Sequence, residues 1–202
     1  MRHVLAIRIS KTLELLQKIV KFKNFVVMKK TIIVLSLMFC ALFAYGQEPL
    51  YEEYKVFNED GYTYICNPQS NGYVDLYNKN NKWVDTCPKY KDTGKYLEFG
   101  VNTLEYDRNM KNVIQSVIYN AFTTEQIKML RGYRLAAIMS LNSETGKLEE
   151  VYFSFYHRDS YAKIPVSVFR KMELELKEKV RFQPTEEGKK LDYIYYAPNV
   201  RP

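Results

Sequence analysis

The chain has 202 residues, 47% hydrophobic and 26% charged, with 30 Lys and Arg against 23 Asp and Glu. This composition excludes an intrinsically disordered chain, a collagen-like repeat and a multi-span membrane protein. The formal charge of +7 belongs entirely to residues 1–46, which hold eight basic residues and one acidic; residues 47–202 carry 22 of each, are neutral, and lack the electrostatic footprint of a nucleic-acid binder.

Residues 28–46 read as a secretory signal. Met28-Lys29-Lys30 precede the uncharged run Thr31–Tyr45, and Ala44-Tyr45-Gly46 supplies a small-x-small motif before Gln47. A bilayer-spanning helix needs about 20 apolar residues. The run has fifteen, so cleavage between Gly46 and Gln47 is expected, with no stable membrane span afterwards. Cys40 follows Leu37-Met38-Phe39 and lacks the small residue that precedes a lipidated cysteine. Residues 1–27 read as an upstream gene-model extension, since their apolar positions scatter around a helix and form no membrane-surface stripe. The expected location is outside the cytoplasm: periplasmic, outer-membrane associated or secreted.

Residues 47–100 form a Tyr- and Asn-rich region with turn signals at Glu59-Asp60-Gly61, Asn67-Pro68, Ser70-Asn71-Gly72, Asn78–Asn81 and Asp92-Thr93-Gly94. The short aromatic and β-branched runs between them predict antiparallel strands near 61–66, 73–77, 82–86 and 96–99. Removal of the signal leaves two cysteines, Cys66 and Cys87, in a chain bound for an oxidising compartment. In a simple meander they would sit on strands one and three, about 9.5 Å apart across the middle strand. A disulfide tolerates a Cα separation below about 7 Å, so the two either pair beyond the strand ends or stay free.

Residues 101–202 change period. Met110, Val113, Ile114, Val117, Ile118, Ala121 and Phe122 share one helical face. Thr123 and Gln126 predict a capping box opening a second short helix, which Gly132 can close in the left-handed conformation. A hairpin follows, Tyr133–Leu141 and Lys147–Phe155 around a five-residue loop. Pro165 suits the first turn of a helix whose core face is Val166, Phe169, Met172, Leu176 and Val180. Glu173 with Lys177 and Glu175 with Lys179 are read as i,i+4 pairs on the opposite face. Pro184 ends that run, and Leu191–Ala197 reads as a final strand.

The hairpin Leu135–Leu141 with its turn glycine Gly146, the helix ending in Lys179-Val180-Arg181, the Phe182-Gln183-Pro184 element, Gly188 and the terminal strand together resemble the C-terminal periplasmic domain of TonB, over residues 133–200. The resemblance implies a ββαβ unit that is not an enzyme and binds proteins, in part by accepting a partner's strand into its sheet. The chain departs from that family in lacking a long Pro-rich linker. The expected fold is therefore α+β: a Tyr-rich antiparallel β region, two short helices and a TonB-C-terminal-like ββαβ unit, with 47–202 forming one compact domain.

The chemical groups point away from catalysis. His157 is the one histidine of residues 47–202; its His-Arg-Asp triplet matches a kinase catalytic loop in three letters, but Ile164 stands where Asn is required. It reads as a loop residue. One His with two Cys does not complete a zinc site, and the acidic residues are not spaced as a calcium loop. Glu149 or Glu150 with Glu144 could supply a hydrolase's paired carboxylates, though adjacent Glu149 and Glu150 point to opposite faces of a strand. No cofactor or metal is expected. Seventeen tyrosines lie beyond Gly46, and Tyr73, Tyr77 and Trp83 on one sheet face, with Tyr193 and Tyr195 on one face of the last strand, are the candidate partner-binding residues. The expected function is that of a non-enzymatic envelope protein binding another protein; a glycan ligand stacking on the same aromatics, or a hydrolase, is the alternative.

Overall fold

The computed structural model describes residues 50–201. The leader 1–27, the signal 28–46 and the cleavage point Gly46/Gln47 lie outside the described residues. The elements are β1 (Lys55–Glu59), β2 (Tyr62–Pro68), β3 (Tyr73–Asn78), α1 (Arg108–Ala121), α2 (Thr124–Leu130), β4 (Leu135–Leu141), β5 (Leu148–Tyr156), a 3-10 turn (Ser160–Lys163), α3 (Val166–Lys179), α4 (Glu186–Lys189), β6 (Ile194–Tyr196) and β7 (Asn199–Val200). The strands form one seven-stranded antiparallel sheet in the order β1-β2-β3-β5-β4-β6, with β7 pairing the start of β4 on the β6 side. The chain is thus α+β, as its pattern predicts. Among the described residues no helix is long and apolar enough to cross a membrane.

The helices cover one face of this sheet. α3 lies on β5 and α1 packs beside α3. Phe153 and Phe155 of β5 meet Phe169 of α3 at ring-centroid distances of 5.3 and 5.5 Å. Tyr51 enters the same cluster against Phe57, Phe155 and Phe169, and its hydroxyl donates to the Ile164 carbonyl at 2.6 Å. Fully burying one such aromatic contributes about 2 kcal/mol, so this ring cluster is the main weld between sheet and helices.

Local signals in the second half are realised closely. Thr123 and Gln126 form the reciprocal capping box, and Gly132 follows α2 at φ +91°. The β4–β5 hairpin turns through Asn142–Gly146, where Asn142 Oδ1 accepts from the Glu144 and Thr145 amides. Gly146 combines φ +65° with a close approach: a Cβ there would lie 1.7 Å from the Phe182 carbonyl oxygen. The turn is thereby locked to the segment after α3, since only glycine fits both constraints.

Two expectations are corrected, and one that was open takes one of its two forms. Residues 82–86 and 96–99 are not strands; they belong to a long connection between β3 and α1 that closes on itself through the bridge of Lys89 with Tyr96 and meets the rest of the chain through those of Tyr90 with Leu191 and Leu104 with Pro184. The ladder donors at Lys82 and Trp83 are instead taken by the Glu150 carboxylate. Glu173 is not a surface residue. It is fully buried and accepts from Arg170 and Lys177, each at 2.7 Å, from Asn78 at 3.4 Å and from the Tyr64 hydroxyl. Cys66 and Cys87 are both free thiols. Cys66 is buried on the helix-covered side, where its thiol donates to the Glu53 carbonyl at 3.3 Å, while Cys87 is exposed in the connection on the other side of the sheet, near Tyr193 and Tyr195. The sheet itself separates them.

Candidate functional site

Residues paired across an antiparallel ladder project to the same side. Tyr73, Asp75 and Tyr77 of β3 face Tyr156, Ser154 and Tyr152 of β5; Ser154 and Tyr152 face Ala136 and Ile138 of β4; Ser140 faces Glu150 on one side and Tyr195 on the other. All of these lie opposite the helices, because the alternate residues Val74, Leu76, Phe153 and Phe155 are core. The result is an open face bearing Tyr73, Tyr77, Tyr152, Tyr156 and Tyr195, with Tyr73 and Tyr195 each nearly half exposed.

The five candidate residues are brought to this one face in two ways. Tyr73, Tyr77 and Tyr195 stand on it directly. Trp83 and Tyr193 form its closed end: their rings stack at 4.9 Å and 22°, and the Tyr193 hydroxyl bonds Thr86 Oγ1 at 2.8 Å. Tyr193 is fully buried by this and serves as a support, not a contact residue. The Trp83 loop is pinned by Glu150, whose carboxylate accepts the Lys82 and Trp83 amides at 2.8–3.0 Å, and by Asn81, whose side-chain amide donates to the Val151 carbonyl at 2.9 Å. Of the other carboxylates considered for hydrolysis, Glu149 accepts from Asn142 at 2.8 Å and Glu144 pairs with Lys91 at 2.6 Å.

Tyr152, Tyr156 and Asp75 complete the face and escape the sequence reading. Their signal was present in β5, where Tyr152, Ser154 and Tyr156 alternate with Val151, Phe153 and Phe155, an amphipathic period of two. Asp75 is the charge at the centre, buried to 7% exposure among tyrosines. Burial pushes its carboxyl up; hydrogen bonding from Ser154 opposes this and the nearby charge of Asp85 adds to it. Asp85 holds φ +56°, a left-handed conformation unusual for a residue with a Cβ. The Tyr152 hydroxyl is pushed well above the usual tyrosine range, by burial first and then by the Asp75 charge. Burial likewise pushes the Tyr77 and Tyr195 hydroxyls up, so these three tyrosines are neutral donors at physiological pH. Among the described residues no group of three or more His, Cys, Asp or Glu could hold a metal ion.

Residues 47–197 match the model of a domain of unknown function, DUF5043. A solved structure of a DUF5043 family protein from Bacteroides uniformis is 38% identical, with a TM-score of 0.72 over 76% of this chain and 88% of that one. No curated protein matches the chain. The family match spans residues 133–197 as well, so the stretch that resembles TonB belongs to this family's domain, and the matches do not bear out a TonB relationship. The matched length, well over half of the chain, together with that neighbour, establishes that the chain belongs to the DUF5043 family.

Proposed function

We propose that this chain is an exported, non-enzymatic binding protein of the bacterial cell envelope that docks another protein on its open tyrosine face. The observation that carries this reading is the arrangement of Tyr73, Tyr77, Tyr152, Tyr156 and Tyr195 on the sheet face that, among the described residues, no helix covers. Tyrosine combines rigid apolar area with a directed hydroxyl and is enriched where proteins meet. The signal-like residues 28–46 support export, and the neutrality of residues 47–202 supports contact through aromatic area over contact through charge. The likeness of residues 133–200 to a protein-binding TonB domain favours the same class. The buried carboxylates Glu150 and Glu173 are both occupied by hydrogen bonds that hold the fold, which leaves them poorly placed as acid or base.

The test is cross-linking in intact envelopes with a photoreactive residue at Tyr195 or Tyr73, against the same probe at Leu174 on the helix side, which is 51% exposed. A discrete protein adduct from the tyrosine face alone, lost when Tyr77 and Tyr152 are both replaced by Ser, is the expected result. Equal labelling from Leu174 would sink the proposal. N-terminal sequencing of the same sample should begin at Gln47.

A further inference from the structure

One end of the open face is a cleft of about 370 Å³. It forms where β3 begins, β5 ends and the α2–β4 turn rises beside them, and its walls are Tyr73, Tyr133, Arg134, Tyr156, Asp159 and Asn199. The register explains the convergence: Tyr73 is opposite Tyr156, and Ala136 is flanked by Ser154 on β5 and Asn199 on β7.

The aromatic wall is preset. Tyr156 packs edge-on against Tyr73 at 5.8 Å and against His157 at 5.1 Å. Gly72, at φ +83°, lets the ring edge come close to the backbone, since a Cβ there would stand 2.6 Å from it. The His157 amide donates to the Gly72 carbonyl at 3.0 Å and ties the two strand ends together. Most of the polar wall is unengaged. Among the described residues the side chains of Tyr73, Tyr133, Arg134, Tyr156 and Asn199 have no hydrogen-bond or ion-pair partner, and Arg134 and Asp159 are not paired with each other. Asp159 stands where an Asp would ordinarily cap the following turn, yet its side chain makes no cap bond. Burial pushes its carboxyl up, against a backbone hydrogen bond at Tyr156.

The lining selects a ligand class by elimination. A phosphate or other dense anion would meet Asp159, and a cation would meet Arg134. An apolar molecule would cover five unpartnered polar side chains without pairing them, at a cost of about 1–3 kcal/mol for each that is buried. What fits is a neutral ring with an apolar face for the tyrosines and hydroxyls around its edge, each both donor and acceptor, to meet Tyr hydroxyls, Asn199, Arg134 and Asp159. The volume lies at the small end of ligand pockets. We infer that this cleft binds a single neutral pyranose residue, free or at the end of a glycan, with its ring face against Tyr73 and Tyr156. The inference does not depend on protein docking: the cleft takes Tyr73 and Tyr156 at one end of the same face, and a probe at Tyr195, at the other end, reports docking separately.

Protein purified after export and labelled with ¹⁵N is titrated with the methyl pyranosides of glucose, galactose, mannose, xylose and N-acetylglucosamine, following amide shifts. At least one should saturate in the millimolar range, with shifts confined to residues 72–73, 132–134, 156–159 and 199. Tyr73→Ala and Arg134→Ala, both at exposed side chains, should each weaken it about tenfold while the remaining spectrum stays native; Tyr195→Ala should leave it unchanged. Absence of saturable shifts with every pyranoside, shifts centred elsewhere, or full retention in both cleft variants would overturn the assignment. Failure here with intact cross-linking from Tyr195 would leave protein docking standing, and the reverse result would remove docking alone.

Discussion

The Glu173 carboxylate is surrounded by two cations, a tyrosine hydroxyl and an amide, at full burial. Burial pushes its pKa up, but the hydrogen bonds from Lys177 and Tyr64 and the positive charge around it prevail and hold it below its ordinary 4.5. A group whose folded pKa is depressed contributes stability above its unfolded value and loses it as pH falls through the folded one. Stability should therefore decline below pH 4.5, and Glu173→Gln should flatten that decline while costing about 2 kcal/mol at neutral pH, the scale of hydrogen bonds to a charged group. Thermal melts of both proteins between pH 3 and 7 check this; identical slopes below pH 4.5 would refute it. A second residue-scale outcome concerns the thiols. Burial pushes the Cys66 thiol up to about 11, so a thiol reagent at neutral pH should label Cys87 rapidly and Cys66 only after unfolding. Glu173 was misread because it follows Met172 directly on the rim of the apolar stripe, and its i,i+4 spacing to Lys177 suits a surface pair equally well. Its decisive partners, Tyr64 and Asn78, lie 109 and 95 residues away, a distance that no helical period encodes.

Elements whose signals are local were legible, as the capping box at Thr123, the five-residue hairpin loop and the amphipathic α1 show. Elements that depend on remote partners were not. Trp83-Val84 has strand propensity, yet the backbone at 82–83 is diverted by Glu150 from another strand; β1, which is mostly exposed, carries no apolar alternation to announce it. The diverted loop offers a direct test, because Trp83 is the sole tryptophan of the chain and its fluorescence reports the stack on Tyr193 alone. Glu150→Ala orphans the Lys82 and Trp83 amides, a loss of about 1–3 kcal/mol. The expected result is a red shift of Trp emission, greater access to acrylamide and a lower Tm, with the far-UV spectrum retained. Unchanged emission would mean that the stack holds the loop without the carboxylate.

At the scale of the whole molecule, the boundary near residue 100 divides two compositions inside one compact unit. β3 pairs β5 along Tyr73–Tyr77, so the Tyr-rich region and residues 101–202 share one ladder. The core crosses the same line: Tyr51 packs on Phe155 and Phe169, and Tyr64 reaches Glu173. The open face is itself a product of that union, since its tyrosines come from both sides and meet only when β3 docks on β5, which is why their convergence could be anticipated by type but not by position. Residues 101–202 expressed alone would expose the β5 edge and leave Glu173 with its two cations but without Tyr64 and Asn78, a buried charge stripped of half its partners. That fragment should be unfolded or aggregated. Residues 47–202 should instead unfold in one transition, with Trp83 fluorescence from the first region and labelling of a Cys placed at Ala137 in the second sharing a midpoint and slope in urea. Two separated midpoints, or a folded 101–202 fragment with dispersed amide signals, would show that the ββαβ unit stands alone and that the tyrosine face is assembled from two bodies.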